Sequence, residues 1–130
     1  MKPQVLPDTN FLIYLAEYKK LHLLDELALT HDIVLLTHVF NELEKIALTG
    51  KYSDRQAAKL VLDFIEEMVK QNKLAVVEYA KNLTADQALL KYAITHKAYI
   101  ATHDKALKQK ARKHNIKILC LRNKAKLEEC

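Results

Sequence analysis

Hydrophobic positions along the chain follow two different periods. Compact aliphatic runs recur at 4–7 (QVLP), 32–36 (DIVLL), 73–79 (KLAVVEY), 98–102 (AYIAT) and 116–121 (IKILCL). Short runs of this kind predict buried strands. Between them the apolar residues recur every three or four positions, which predicts helices over 10–20, 21–29, 38–49, 85–96 and 104–114, and one beginning near Ser53. The last of these has the clearest stripe: Ala57, Leu60, Val61, Phe64, Ile65, Met68 and Val69. Helix 38–49 turns Val39, Leu43, Ile46 and Ala47 inward. Helix 85–96 does the same with Ala85, Ala88, Leu89, Tyr92 and Ala93, and helix 104–114 with Leu107 and Ala111.

Local signals punctuate this pattern. Thr37 is placed to cap helix 38–49. Ser53 with Gln56, and Thr84 with Gln87, have the spacing of capping boxes. Asp104 is placed to cap the helix it opens. The only glycine, Gly50, lies in the turn TGKYS at 49–53. Strands alternate with helices and no Asn-Gly hairpin signal joins two strands. The expected fold is therefore α/β, one domain over 1–130, with a central parallel sheet of about five strands and helices on both faces. The pair Thr-His recurs at 30–31, 37–38, 95–96 and 102–103; the sequence assigns it no role.

One stretch does not suit a plain buried seam. In VLPDTNFLIY, residues 5–14, Asp8 and Asn10 stand between an apolar strand and an apolar helix. A charge there is costly unless a cation or a hydrogen bond meets it. In a parallel α/β sheet, ligands bind outside the carboxyl ends of the strands. Asp8 follows the first strand, and Glu42 lies about one turn into the helix after the second. Asp86 opens the helix after the third strand, and Asp104 follows the fourth. Four strand-to-helix junctions each bring an acid to one edge. Each also has a structural reading: Asp104 as an N-cap, Asp86 as a partner of the helix dipole, Glu42 as a surface residue that competes with Glu44.

Charge sharpens the picture. The chain of 130 residues carries a net +5, but residues 1–80 are net −3 and residues 81–126 are net +10, and Asp86 and Asp104 are the only acids in that basic stretch. A basic half suggests a polyanionic partner. Four carboxylates in one pocket would repel one another unless cations joined them. Mg²⁺ and Mn²⁺ prefer oxygen ligands and suit phosphoryl transfer.

Several chemistries are excluded. One glycine rules out Walker and dinucleotide phosphate loops. The six histidines show no HExxH or Cys/His zinc spacing, and no Ser or Cys nucleophile arrangement stands out. No apolar run is long enough for a membrane span, and the N-terminus has no signal-peptide pattern. Cys120 lies in an apolar run and Cys130 is the other thiol; the expectation is core packing at Cys120 and a reduced, cytoplasmic protein.

The acid-bearing segments resemble the PIN-domain nucleases along the whole chain. VLPDTNFLIY resembles that family's opening strand with its Asp-Thr-Asn, and THVFNELEKIA its Glu-Leu-Glu-Lys helix. TADQALLKYA resembles the third acidic motif and YIATHDKALKQKA the fourth, with gaps of 34, 44 and 18 residues between the acids. The ending IKILCLRNKAKLEE resembles the archaeal branch related to small-subunit ribosomal RNA-processing nucleases.

The resemblance implies a Rossmann-like sheet and an endoribonuclease. It implies one or two Mg²⁺ or Mn²⁺ ions held by Asp8, Glu42, Asp86 and Asp104, and hydrolysis by metal-activated water. Asn10, Thr102 and His103 would support those ligands. Two positions depart from the family pattern. His103 stands where Asn is frequent, and Gln87 where a second acid is frequent. A homodimer is implied too, with the apolar segment 21–29 contributing.

For RNA contact the sequence offers Lys51, Tyr52 and Arg55 beside the glycine turn, and Lys105, Lys108, Lys110, Arg112 and Lys113 after Asp104. The target class is RNA, single-stranded or a structured ribosomal precursor. A ribosome-assembly partner fits that processing role. Other readings stay open: a VapC-like toxin silenced by an antitoxin, and an RNA-binding scaffold with a weak or inactive metal site. A phosphatase of the haloacid-dehalogenase type also starts with Asp after its first strand, but it wants a second Asp two residues on, where this chain has Asn10.

Overall fold

The computed structural model describes residues 2–130. The chain runs β1 (Gln4–Pro7), α1 (Thr9–Glu17), α2 (Leu23–Thr30), β2 (Asp32–Leu36), α3 (Thr37–Thr49), α4 (Tyr52–Lys70), β3 (Leu74–Val77), α5 (Ala85–His96), β4 (Tyr99–Ala101), α6 (Lys105–Lys113), β5 (Ile118–Arg122) and β6 (Lys126–Glu129). The sheet order is β3-β2-β1-β4-β5-β6. All pairs are parallel except the last, where β6 returns against β5.

From β1 the chain first builds outward through β2 to β3, then restarts on the other side with β4 and β5. Right-handed crossovers put helices on opposite faces for these two directions. Accordingly α1, α3 and α4 pack on one another, and α5 packs with α6. The reversal falls between β1 and β4, so the crevice expected of such a sheet opens at the carboxyl ends of those two strands. The core is a single aliphatic cluster centred on fully buried Leu6, Phe11, Leu12, Leu15, Leu35, Leu36, Leu43 and Leu89.

Several expectations are corrected. The sheet has six strands rather than five, because the chain turns back after β5. Three residues, Asn123, Lys124 and Ala125, join β5 to β6; the Ala125 N–H donates to the Arg122 carbonyl at 3.0 Å, and the two residues inside that turn, Asn123 and Lys124, adopt left-handed backbone at φ 54° and 53°. Lys124 places its ammonium 4.5 Å from the centre of the Tyr18 ring, fastening that turn to the end of α1. Thr37 is the first residue of α3 rather than its cap, and the N-cap position, Leu36, has no side-chain bond. Ser53 forms no capping box, since α4 already starts at Tyr52. The Thr84–Gln87 box does form, with both reciprocal bonds, at 3.3 and 3.1 Å.

On α4, Ala57, Val61, Ile65 and Met68 are buried but Leu60 and Val69 are exposed, so the true stripe is narrower than the periodicity suggests. In the segment 21–29, Leu23, Leu24, Leu27 and Ala28 are buried core residues, whereas Leu29 is 76% exposed and stays open to a partner. Cys120 is buried as expected. Each histidine of the four Thr-His pairs anchors a tertiary or local contact. His31 meets the edge of Tyr99, His38 donates to the Leu83 carbonyl, His96 stacks on Tyr92, and His103 packs between Phe11 and Tyr14.

Candidate active site

Asp8 leaves β1 at the crevice. Its backbone N–H extends the parallel ladder by donating to the Ala101 carbonyl at 3.0 Å. Its side chain then caps α1, Oδ1 accepting from the Phe11 N–H at 2.8 Å. The other oxygen, Oδ2, accepts from the Thr102 hydroxyl at 2.5 Å. Asp8 is 8% exposed, and Thr102 is fully buried. Thr102 follows β4, where its own N–H donates to Leu119 at 3.1 Å. Its Oγ1 also accepts from the Asp104 N–H at 3.0 Å. One hydroxyl thus ties the acid after β1 to the backbone of the acid after β4. Asp104 in turn caps α6, its Oδ1 accepting from Leu107 N–H at 2.9 Å.

The electrostatics follow from this packing. Burial pushes the Asp8 carboxyl up to about 6, against the pull of its bonds from Thr102 and Phe11. The negative charges of Asp86 and Asp104 push it the same way as burial. Two of the other three expected acids, Asp86 and Asp104, therefore act on Asp8. Glu42 is not among the groups acting on Asp8; it is exposed on α3, between buried Val39 and Leu43. Glu44 lies beside Phe40 and Leu62 along the α3–α4 groove, away from the acids.

The donor chemistry suits a hard divalent ion. Asp8, Asp86 and Asp104 offer carboxylate oxygens only, and a carboxylate retains acceptor capacity beyond the two bonds Asp8 already takes. Among the described residues no three His, Cys, Asp or Glu side chains stand close enough to share one ion as placed. The acids face one edge without closing on a point.

His103 does something other than reach into this crevice. Its Nε2 accepts from the Leu121 N–H at 3.1 Å, and its ring lies 5.3 Å from Phe11 and 4.6 Å from Tyr14. Accepting at Nε2 requires a neutral ring. Burial, and then the charge of Lys108, hold its pKa below the ordinary value. Asn10 is exposed on the first turn of α1 and lines a cleft of about 270 Å³ with Tyr14, Glu17, Gly50 and Asp54. That cleft brings the glycine turn beside the start of α1. Tyr52 is 70% exposed there, with the Arg55 guanidinium 5.6 Å from the centre of its ring. Lys51 is exposed and Arg55 half-buried; on α6, Lys105, Lys110, Arg112 and Lys113 are exposed and Lys108 half-buried.

The sequence does not single out His38, which links two elements beside the acids. Its Nε2 donates to the Leu83 carbonyl at 3.0 Å, joining the first turn of α3 to the segment that delivers Asp86. It stands one turn before Glu42 on α3. A polar residue at the mouth of a parallel strand was the available signal, but its partner lies 45 residues away.

Comparison with known proteins identifies the family. The family described as "PIN like domain" matches residues 5–124. Ribonuclease VapC4 of Methanocaldococcus jannaschii is 33% identical over 129 residues, covering 96% of this chain and 95% of that protein. A solved structure, described as a domain of a functionally unknown protein from Methanocaldococcus jannaschii, superposes with a TM-score of 0.68 at 20% identity, covering 92% of this chain and 91% of that one. At that identity the likeness speaks for the fold alone. With the switch-point crevice, its buried Asp8 and the match over nearly all its length, the chain belongs to the PIN-like domain family.

Proposed function

We propose that this protein is a divalent-metal-dependent endoribonuclease. The observation that carries the reading is Asp8: a carboxylate at the sheet's switch point, its ionisation opposed first by burial and then by the charges of Asp86 and Asp104. A folded protein keeps such a charge cluster where a cation or a reaction needs it. Asp8, Asp86 and Asp104 hold one Mg²⁺ or Mn²⁺, and Glu42 completes the site from α3. When bound, the ion supplies charge neutralisation for the incoming phosphate and makes water more acidic.

The chain's own residues do the rest. Thr102 fixes the orientation of Asp8 and, through the Asp104 N–H, the start of α6. Asp104 holds that helix end at the crevice, so that Lys105 and Lys108 follow the acid directly. Lys51 and Arg55 contact phosphates from the other side, and Tyr52 offers a ring face to an unpaired base. Water adds to phosphorus, the bond to the 3′-oxygen breaks, and that oxygen takes a proton. The products carry a 5′-phosphate and a 3′-hydroxyl.

The test is cleavage of single-stranded and structured ribosomal precursor RNA with Mg²⁺ or Mn²⁺, beside Asp8→Asn and Asp104→Asn. Asn retains the capping ability of Asp at both helix starts, so these variants remove charge while keeping the caps. Loss of cleavage in both is expected. Wild-type rates from Asp8→Asn overturn the assignment.

The similarity to ribonuclease VapC4 favours a second, compatible reading, in which the same nuclease is the toxin of a toxin–antitoxin pair. Growth arrest on expression, relieved by a neighbouring small gene, tests it.

A further inference from the structure

A wide cleft in the basic half lies far from the acids. It has a volume of about 580 Å³ and opens at the opposite edge of the sheet, where β1, β4 and β5 begin and α5 and α6 end. Buried Ala93, Ala98 and Ile116 form its apolar floor, beside the more exposed Ile94 and Tyr99, and its rim carries Lys97 and Lys117. No carboxylate lines it. Ile94 is 48% exposed on a helix whose other apolar residues face the core. Lys97 sits at the C-cap of α5 in left-handed backbone, φ 53°, and among the described residues it makes no ion pair. Lys117 lies 5.7 Å from the centre of the Tyr99 ring and only 3.9 Å at best from Glu129, a loose and exposed pairing.

Helix α6 connects the two ends of the molecule. It starts at Asp104 in the acid crevice and ends at His114 on the rim of this cleft. Leu107 and Ala111 anchor it, leaving Lys105, Lys110, Arg112 and Lys113 exposed along its outer side. Its nine residues span about 13.5 Å at 1.5 Å per residue. A cationic track therefore runs from the proposed scissile position to an apolar-floored, cation-rimmed cleft. Single-stranded nucleic acid matches both features at once, with phosphates for the lysines and base faces for the apolar floor. An acidic peptide would match only the rim.

The geometry points to a second, non-catalytic site for single-stranded RNA in this cleft, holding a segment of the strand a few nucleotides from the cleaved bond. The direction of the track rests on the nuclease reading; the binding itself does not. Substrates that reach the cleft gain affinity from Lys97 and Lys117, and substrates too short to reach it do not.

The test is the double variant Lys97→Gln/Lys117→Gln. Binding of a long unstructured RNA is measured over a range of salt on the Asp104→Asn background. The salt slope (log K against log salt) should fall in magnitude by about 1.4, from about 0.7 per phosphate contact on a single strand. Cleavage of a trinucleotide by the double variant with Asp104 intact should stay at the wild-type rate. An unchanged slope on the long RNA overturns the proposal, as does an equal loss on the trinucleotide. So does a polyglutamate peptide that binds in a Lys97- and Lys117-dependent way where the RNA does not. The two readings fail separately. A changed slope with no cleavage of any RNA by wild type supports the cleft and sinks the nuclease, whereas normal cleavage with an unchanged slope sinks the cleft alone.

Discussion

At Asp8, burial and hydrogen bonding pull in opposite directions, and burial wins. Its carboxyl titrates near 6 in the folded chain against an ordinary value of 3.8. The folded state then binds the proton more tightly than the unfolded one, so this group's stabilising contribution is full below about pH 4. It is lost as pH rises through about 6. At about 1.4 kcal/mol per pKa unit, metal-free protein should lose about 3 kcal/mol over that window from this residue. Asp8→Asn should remove the decline, as urea melts in chelator across pH will show. Burial gives His31 and His103 the opposite sign, because lowered imidazole pKa values favour the folded state above about 6.5 and lose that advantage as pH falls. The Asp8→Asn chain should therefore show only a rise in stability with pH over this range. Thr102→Val keeps the shape but strips Asp8 Oδ2 and the Asp104 N–H of their common partner. A loss of about 1–3 kcal/mol is expected for such buried groups, with slower cleavage. Asp8 was legible in the sequence as a candidate, since a carboxylate between two apolar runs stands out, but its capping of α1 was not read there. The double duty of Thr102 was not legible, because its partner Asp8 lies 94 residues away.

At the scale of elements, the turn between α3 and α4 depends on its glycine for space rather than for backbone freedom. Gly50 has an ordinary φ of −71°, but a Cβ there would come within 2.7 Å of the Ile46 carbonyl oxygen. Gly50→Ala should cost about 1–3 kcal/mol through forced backbone movement. It should also displace Lys51, Tyr52 and Arg55, which a weaker affinity for RNA would report. The capping box of α5 should give a cleaner result, with Thr84→Ala losing about 1 kcal/mol and loosening the turn that carries Asp86. That box was readable because it is satisfied within four residues. Ser53 and Gln56 have the same spacing and fail, since α4 begins one residue before Ser53. The missed strand β6 has a similar origin. Asn123 is a good left-handed residue, but Lys124 follows it where Gly would make the hairpin plain.

For the whole molecule, the charge asymmetry and the sheet topology act together. The acids gather at the carboxyl edge while the basic half surrounds α6 and the far cleft. A cation that joins the acids only in the folded state should stabilise it. At a hundredfold excess over its dissociation constant the gain is about 2.7 kcal/mol, seen as a higher melting temperature at pH 7 with Mn²⁺. No such rise in wild type, or an equal rise in Asp8→Asn, would count against the site. No helix among the described residues is long and apolar enough to cross a membrane.

By itself the sequence determined what is local and periodic. It specified five of the six strands, all the helices to within a few residues, and the placement of an acid after each of four strands. These follow from side-chain period and from capping contacts that close within a few positions. Tertiary structure decided how those acids are connected. The switch point lies between β1 and β4, so Asp8 and Asp104 share one hydroxyl, while Glu42 stays exposed on α3. It also decided that Leu23, Leu24, Leu27 and Ala28 of the segment 21–29 are core while Leu29 is exposed, and that α6 leads from the acids to a second cleft. Such outcomes depend on contacts between residues far apart in the chain, which no local period encodes.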